Sequence, residues 1–209
     1  MNNIFNLIVI GGGHAGTEAA LAGKRLGLSV ALITLDASKS GRMSCNPAIG
    51  GIGKTHLARE IDAMGGYMAE ATDLAGIQFR TLNKKKGPAV QALRAQADKE
   101  IYEKSIQKKL AEDGVVVIED EVINFVIKKK KIQSAHGKKG EYRSEAFVLT
   151  TGTFLNGAIL IGNEKKEGGR IDEEKSSGLE EFFRNTGAKT GRLKTGTPPR
   201  LEKQSIDFN

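Results

Sequence analysis

The strand, glycine turn and helix predicted for residues 7–26 constrain the fold of this chain more than any other feature. The apolar run Leu7–Ile10 leads directly into a G-x-G-x-x-G turn, and an alanine-rich segment that favours a helix follows. In such a turn the first glycine makes the bend, the second lets the backbone approach a pyrophosphate, and the third lets the helix pack closely on the strand. The turn consists of Gly11, Gly12, Gly13, His14, Ala15 and Gly16. The sequence therefore predicts a dinucleotide site at the N-terminus of this helix.

The end of the second predicted strand leaves the identity of the dinucleotide open. An NAD site usually carries an acidic residue there, which holds the ribose hydroxyls. In this chain the segment 29–33 ends in Thr34, and the first acidic residue is Asp36. Thr34 can still donate one hydrogen bond, so this position does not decide which dinucleotide binds.

Composition indicates a folded cytoplasmic protein. The 209 residues, 39% of them hydrophobic, suffice for one domain or one and a half with a core of ordinary size. No apolar run approaches the length of a membrane span, and the N-terminal residues 1–3 do not have the pattern of a secretion signal. The single cysteine excludes an intrachain disulfide and fits a reducing compartment.

The charge of the chain permits an RNA partner without showing one. The formal net charge is +7 and the isoelectric point is about 9.4. Lysine clusters of this kind are more often solvated loops than binding sites, so alone they favour nucleic acid only weakly. They lie at 84–86, 128–131, 138–139 and 165–166.

Hydrophobic periodicity predicts the organisation of the rest of the chain. Residues 38–53 form a long glycine-rich, mostly irregular stretch, followed by a helix over Lys54–Met64 that two glycines end. Arg94–Glu112 is predicted as one amphipathic helix because apolar residues recur every four positions near its end. The predicted strands are 115–118, a meander of 122–127, 132–135 and 141–143, and a final apolar strand, 146–149.

A second glycine-rich segment, Ala48–Thr55, resembles a phosphate-binding loop with alanine in place of the first glycine. In such a loop Lys54 would reach the terminal phosphate and Thr55 would bind magnesium. A loop of that kind must follow a buried strand, however, and residues 40–47 have no strand pattern. We therefore interpret the segment as a loop lying against the same cofactor and keep an NTPase site as the alternative.

The single cysteine, Cys45, is the candidate catalytic residue. It lies beyond the second strand and after a glycine, where flavin disulfide reductases keep a redox cysteine pair. Because this chain has no second cysteine, it cannot operate a dithiol relay. Two interpretations remain: a reactive thiol near a flavin ring, which the polar and glycine neighbours favour, or a small buried residue.

Six long motifs along the chain together resemble one protein family. They are GGGHAGTE at 11–18, MSCNPAIGGIGK at 43–54, AGIQFR at 75–80, KGPAV at 86–90, RAQAD at 94–98 and RLKTGTPPR at 192–200. The chain resembles the FAD-dependent G subunit of the tRNA uridine 5-carboxymethylaminomethyl modification enzyme, the MnmG or GidA family. The similarity covers essentially all 209 residues.

The resemblance implies a Rossmann-like α/β fold that binds FAD. The expected architecture is of the glutathione-reductase type, a parallel sheet with helices plus a three-stranded β-meander. On that pattern FAD is held by Gly11–Gly16, by the backbone of Val122 beside the adenine, and by Ser176.

The resemblance also implies a role in tRNA modification in the cytoplasm. Members of the family act with a GTPase, the E subunit MnmE, and add a carboxymethylaminomethyl or aminomethyl group to C5 of the wobble uridine. They use NADH to reduce FAD, and full-length members are expected to be homodimers. Six basic residues are candidates for gripping tRNA phosphates or the flavin edge, and each could equally be a structural ion-pair partner. These are Arg80, Lys86, Arg94, Arg192, Lys194 and Arg200.

Length distinguishes this chain from the family, whose members are much longer and carry a second, NADH-binding glycine motif. We expect residues 1–209 to form an N-terminal part of the FAD-binding domain, as a fragment, split-gene product or truncated reading, with uncertain activity alone. Its expected divisions are the fingerprint (7–36), a glycine-rich loop and insert (38–90), helix, meander and closing strand (94–153), and a second-domain start (154–209). The alternatives are a generic FAD or NAD(P)H oxidoreductase of a small molecule and a non-catalytic nucleotide- or RNA-binding module.

Overall fold

The computed structural model describes residues 4–44, 46–152, 155–168, 178–189, 191, 196 and 201–207. Its strands and helices follow one another in a mixed α/β order. They are β1 (Phe5–Ile10), α1 (His14–Arg25), β2 (Val30–Thr34), β3 (Ala48–Gly50), α2 (Lys54–Ala63), α3 (Met68–Ala75), β4 (Gly76–Leu82), β5 (Ala92–Ala97), α4 (Lys99–Glu112), β6 (Val116–Glu119), β7 (Val122–Lys128), β8 (Lys131–Gly137), β9 (Glu141–Leu149), β10 (Ala158–Ile161), β11 (Glu164–Glu167) and α5 (Gly178–Asn185).

The main sheet has six strands in the order β6-β2-β1-β9-β8-β7. The first four strands of this order are parallel to one another, whereas β7, β8 and β9 pair antiparallel as a meander. This arrangement confirms the predicted fold class, a parallel Rossmann-like sheet with helices and a three-stranded meander.

One strand, β9, belongs to both halves of the main sheet. Its first residues, 141–143, pair with β8, and its remainder, from Ser144, pairs with β1. Ser144 marks the junction, where its hydroxyl donates to the carbonyl of Phe5 at 3.0 Å. The two separate strands predicted at 141–143 and 146–149 are therefore a single strand.

The two strands β1 and β2 are buried on both faces, which explains their largely apolar sequences. On one face, Val9 and Leu32 pack with the α4 side chains Tyr102, Ile106 and Leu110. The opposite face forms a second cluster, which contains Ile8, Ile10, Ile33, Phe125 and Leu179. The carboxyl ends of β1 and β2 are thereby held between two packed layers.

The insert between β2 and α4 corrects the predicted start of the long helix. Residues 94–97, predicted as the start of a helix, belong instead to β5 (92–97), which pairs antiparallel with β4 and with β3. The helix begins only at Lys99, because the Asp98 carboxylate accepts from the N–H groups of Glu100 and Ile101 as an N-cap. The stretch 38–53, predicted to be mostly irregular, contains the short strand β3 at 48–50.

Candidate dinucleotide site

Two of the fingerprint glycines are required by the packing of the turn itself. Gly11 has a φ of +112°, and a Cβ added there would lie 2.4 Å from the carbonyl oxygen of Thr150. A Cβ added at Gly16 would lie 1.7 Å from the carbonyl oxygen of Gly11. Both contacts are with backbone atoms, so no side chain fits at either position and α1 packs directly against β1.

Gly13, the middle glycine of the fingerprint, faces open space instead. It is exposed, and a Cβ added there would meet no atom within 4 Å. Gly13 is also the N-cap of α1, and the first helical hydrogen bond runs from Thr17 N to its carbonyl. The N–H groups of Ala15 and Gly16 precede that bond, so they lie in the first turn, where a helix attracts an anion. The first turn contains no acidic side chain that would repel one.

Polar groups at the end of β2 adjoin the glycine turn. The Thr34 hydroxyl lies beside Gly12, where an added Cβ would approach its oxygen to 2.7 Å. The Asp36 carboxylate already accepts from the Ser38 hydroxyl at 2.5 Å and pairs with Lys39 at 3.0 Å, and these contacts lower the pKa of Asp36. Thr34 is therefore the better placed of the two for a ribose.

Val122 lies near the same carboxyl edge of the sheet. The N–H of Asp120 donates to the carbonyl of Thr34 at 2.9 Å, and Val122 begins β7 two residues further on. The Val122 side chain is buried in the apolar cluster, which leaves its backbone as the part that could face a ligand. The structure thus brings together the glycine turn, Thr34 and the segment that contains Val122.

The remaining candidates are only partly covered by the structure. Arg80, Lys86 and Arg94 are described, and all three belong to the insert between β2 and α4. The others, Cys45, Ser176, Arg192, Lys194 and Arg200, lie outside the described residues. Within the described ranges, no group of three or more His, Cys, Asp or Glu residues could hold a metal ion.

Two residues that contact the turn, Thr150 and Tyr102, and a buried carboxylate of α1, Glu18, were not predicted as site residues. The Thr150 hydroxyl donates to the carbonyl of Ile10 at 2.9 Å and lies 3.1 Å from that of Gly11. The Tyr102 ring meets the His14 ring edge-on at 5.5 Å, and burial raises the pKa of the Tyr102 phenol. The Glu18 carboxylate reaches away from the turn to the start of α3. Of these residues, only Thr150 could have been found from the neighbouring sequence, since it directly follows a predicted apolar strand.

The second glycine loop does not have the geometry of a phosphate-binding loop. The Thr55 hydroxyl is buried and donates to the carbonyl of Leu93 at 2.5 Å, while it accepts from the N–H of Gly51 at 3.0 Å. A magnesium-binding hydroxyl would instead face the phosphates. This geometry favours a structural role for Thr55.

We therefore predict that Lys54→Ala leaves nucleoside triphosphate binding unchanged. Binding should be negligible both in the unaltered chain and in the variant. The physical reason is that the neighbouring Thr55 hydroxyl donates to the carbonyl of Leu93 in β5 and is therefore not available to bind magnesium. Equilibrium binding of fluorescent ATP and GTP analogues with magnesium would measure this. Micromolar binding by the unaltered chain that Lys54→Ala abolishes would establish the NTPase alternative.

The parallel sheet, the glycine turn at its carboxyl edge and the antiparallel meander define a dinucleotide-binding fold of the glutathione-reductase type. Among the described residues, no helix has the length and apolar character needed to span a bilayer. The family model described as glucose inhibited division protein A, GIDA, matches residues 6–209, so the chain belongs to the GidA family.

Individual relatives agree with this assignment. The tRNA uridine 5-carboxymethylaminomethyl modification enzyme MnmG of Sulfurihydrogenibium sp. (strain YO3AOP1) is 51% identical over 98% of this chain and 34% of its own length. The structure of Aquifex aeolicus GidA in its form II crystal matches with a TM-score of 0.89 and 48% identity, over 98% of this chain and 34% of that one. The GidA-related protein from Thermus thermophilus shares the fold at 16% identity, with a TM-score of 0.64 over 88% of this chain and 69% of its own. The chain thus spans about a third of the length of the curated relatives it matches.

Proposed function

We propose that this chain binds FAD at its glycine turn and forms the flavin-binding portion of an enzyme that modifies the wobble uridine of tRNA. The observation that carries the proposal is the open face of Gly13 at the start of α1, in a chain of the GidA family. Membership of that family, whose relative at 51% identity is named as a tRNA uridine modification enzyme, supports the choice of substrate.

The residues around the turn fit an FAD molecule. The exposed backbone of Gly13 and the N–H groups of Ala15 and Gly16 would hold the pyrophosphate, because they combine open space with the positive end of a helix. Thr34 would contact the ribose, and the backbone at Val122 would lie beside the adenine. Ser176 is proposed as a further contact on the family resemblance alone. When bound, the flavin supplies the hydride chemistry, and the chain supplies binding and orientation.

The remaining features of the proposal follow from the family. The tRNA is the substrate, NADH is the reductant, and the GTPase MnmE is the partner of a homodimeric full-length enzyme in the cytoplasm. A uridine in an anticodon loop is unstacked enough to be splayed into a protein pocket, with basic side chains on the flanking phosphates. Cys45 is proposed as the catalytic thiol of that pocket.

The visible spectrum of the chain tests flavin binding directly. The purified protein, incubated with excess FAD and then freed of unbound ligand, is expected to retain the flavin band and to quench flavin fluorescence. A colourless protein that leaves the fluorescence of added FAD unchanged would contradict the proposal. It would favour a non-catalytic module instead.

A second test separates flavin binding from turnover. The sequence contains a single G-x-G-x-x-G motif, here assigned to FAD, so the chain alone is expected not to oxidise NADH at a useful rate and not to modify tRNA with MnmE present. Anaerobic bleaching of the flavin band on addition of NADH measures the first of these. Adding the other two-thirds of a full-length relative as a separate chain should restore bleaching. Rapid bleaching by the 209-residue chain alone would show that the fingerprint has another ligand or that the second motif is dispensable.

A further inference from the structure

The antiparallel pair β4–β5 places two arginines directly opposite each other. Arg80 on β4 is the register partner of Arg94 on β5, so their side chains leave the same face of the sheet. Arg80 is exposed and Arg94 is half-buried. Across an antiparallel pair, directly opposite residues have Cβ atoms about 5 Å apart. The two guanidinium groups are therefore tethered close enough to contact one anion together.

The charges of these two arginines are not compensated by any carboxylate among the described residues. Neither arginine forms an ion pair in that part of the chain. By comparison, Arg143 on β9 approaches Glu141 to 3.5 Å, and Lys138 in the turn before β9 approaches Glu121 to 2.6 Å. Like charges directly opposite each other destabilise a strand pair. The arginine pair thus costs stability in the free protein, and a bound anion would relieve this cost.

The next pair on the same face carries amides. Gln78 is opposite Gln96, two residues along each strand from the arginines. The Gln96 side chain also donates to the Oδ1 atom of Asn46 at 3.4 Å. This face therefore presents two guanidinium groups beside two or three carboxamides. That combination suits a nucleotide, since guanidinium forks match phosphate oxygens and carboxamides match the hydrogen-bonding edges of bases.

We propose that the Arg80–Arg94 pair binds a phosphate group of single-stranded RNA, with the Gln78–Gln96 pair toward the adjoining base. The inference rests on the proposed function in that it takes RNA as the substrate. RNA is favoured over a free nucleotide because the arginine pair and the glutamine pair follow one another along β4 and β5, two adjacent strands of the three-stranded sheet β3-β5-β4, so that a phosphate and the adjoining base of one RNA strand can contact them in turn. The isoelectric point of about 9.4 adds attraction for a polyanion at neutral pH.

The test uses Arg80→Gln and Arg94→Gln in the full 209-residue chain, with Arg143→Gln as the matched control. Arg143 is also a strand arginine, but it already faces a carboxylate. Binding of fluorescently labelled tRNA would be measured by anisotropy across a salt series, and thermal unfolding by circular dichroism. Each variant of the pair should weaken tRNA binding about fivefold at about 0.1 M salt and reduce the magnitude of the salt slope by about 0.7. Each should also raise the melting temperature by about 2 °C, because the repulsion is removed.

The control separates this site from general electrostatics. Arg143→Gln should change tRNA affinity by no more than about twofold. It should not raise the melting temperature, since it removes an exposed ion pair. Equal losses of tRNA affinity in all three variants would overturn the proposal, as would unchanged affinity in both pair variants. Loss of FAD binding with tRNA binding intact would assign the pair to the cofactor and also overturn it. An unaltered chain that binds FAD but no tRNA would overturn this inference alone, whereas one that binds no FAD would overturn the proposed function.

Discussion

A Gly16→Ala chain is expected to lose its folded structure. The added Cβ would lie 1.7 Å from the Gly11 carbonyl oxygen and 2.7 Å from the Thr150 hydroxyl, and the first of these atoms belongs to the backbone of the turn. Relief would require α1 to move away from β1, which opens the core. We expect a loss of more than about 4 kcal/mol in the free energy of unfolding, measured by thermal and chemical denaturation.

Gly13→Ala is the matched control, because it adds the same methyl group to another glycine of the same turn. Gly13 has a φ of −77°, which any residue adopts, and its added Cβ meets no atom. This variant should fold with a stability within about 1 kcal/mol of the unaltered chain, yet bind FAD more weakly because the methyl group occupies the pyrophosphate face. A bulkier Gly13→Val change should block FAD binding. A Gly16→Ala protein that folds normally would contradict the close packing of the turn. Full FAD affinity in Gly13→Val would contradict pyrophosphate binding at Gly13.

A Glu18→Ala chain is expected to lose about 2–3 kcal/mol in the free energy of unfolding. Glu18 is 8% exposed, and its carboxylate accepts from the N–H of Tyr67 at 2.9 Å and from that of Met68 at 2.5 Å. These groups open α3, whose N-cap residue forms no side-chain cap of its own. Alanine would leave both N–H groups without an acceptor. Glu70→Ala, which removes an exposed acid from the same first turn, should cost under about 0.5 kcal/mol.

The pH dependence of stability gives Glu18 an independent test. Burial raises the pKa of Glu18 above its ordinary value of 4.5, and the hydrogen bonds from Met68 and Tyr67 only partly oppose this. The folded state therefore holds this proton more tightly than the unfolded state. The stability contributed by protonation is fully present below about pH 4.5 and is lost as pH rises through the raised pKa. Glu18→Gln should abolish that pH-dependent loss, and an unchanged profile in this variant would contradict the assignment.

Local patterns in the sequence were sufficient to predict the parallel core and the glycine turn. An apolar run beside a G-x-G-x-x-G turn specifies strand, bend and helix within about twenty residues, and the meander strands are separated by clear turn signals. The six-stranded sheet confirms these predictions. The insert between β2 and α4 was harder to predict. The alanines of β5 favour a helix by propensity, but their pairing with β3 and β4 makes them a strand.

The supporting contacts of the site could not be predicted because they join distant parts of the chain. The Thr150 contact with Gly11 spans 139 residues and the Glu18 contact with Tyr67 spans 49. Neither has a local periodicity that would reveal it. The opposition of Arg80 and Arg94 likewise depends on the register of two strands, which a single sequence does not specify.

The position of β9 in the sheet has a consequence for synthesis on the ribosome. A nascent chain emerges with β1 first, and β2 can pair with one edge of it at once, but the other edge waits for residues 144–149. Until then an apolar strand edge stays open, which is a hazard for aggregation. The backbone atoms of Thr150 that close the glycine turn arrive later still. The glycine turn is therefore completed only after residue 150 has been synthesised, and until then one edge of β1 remains unpaired.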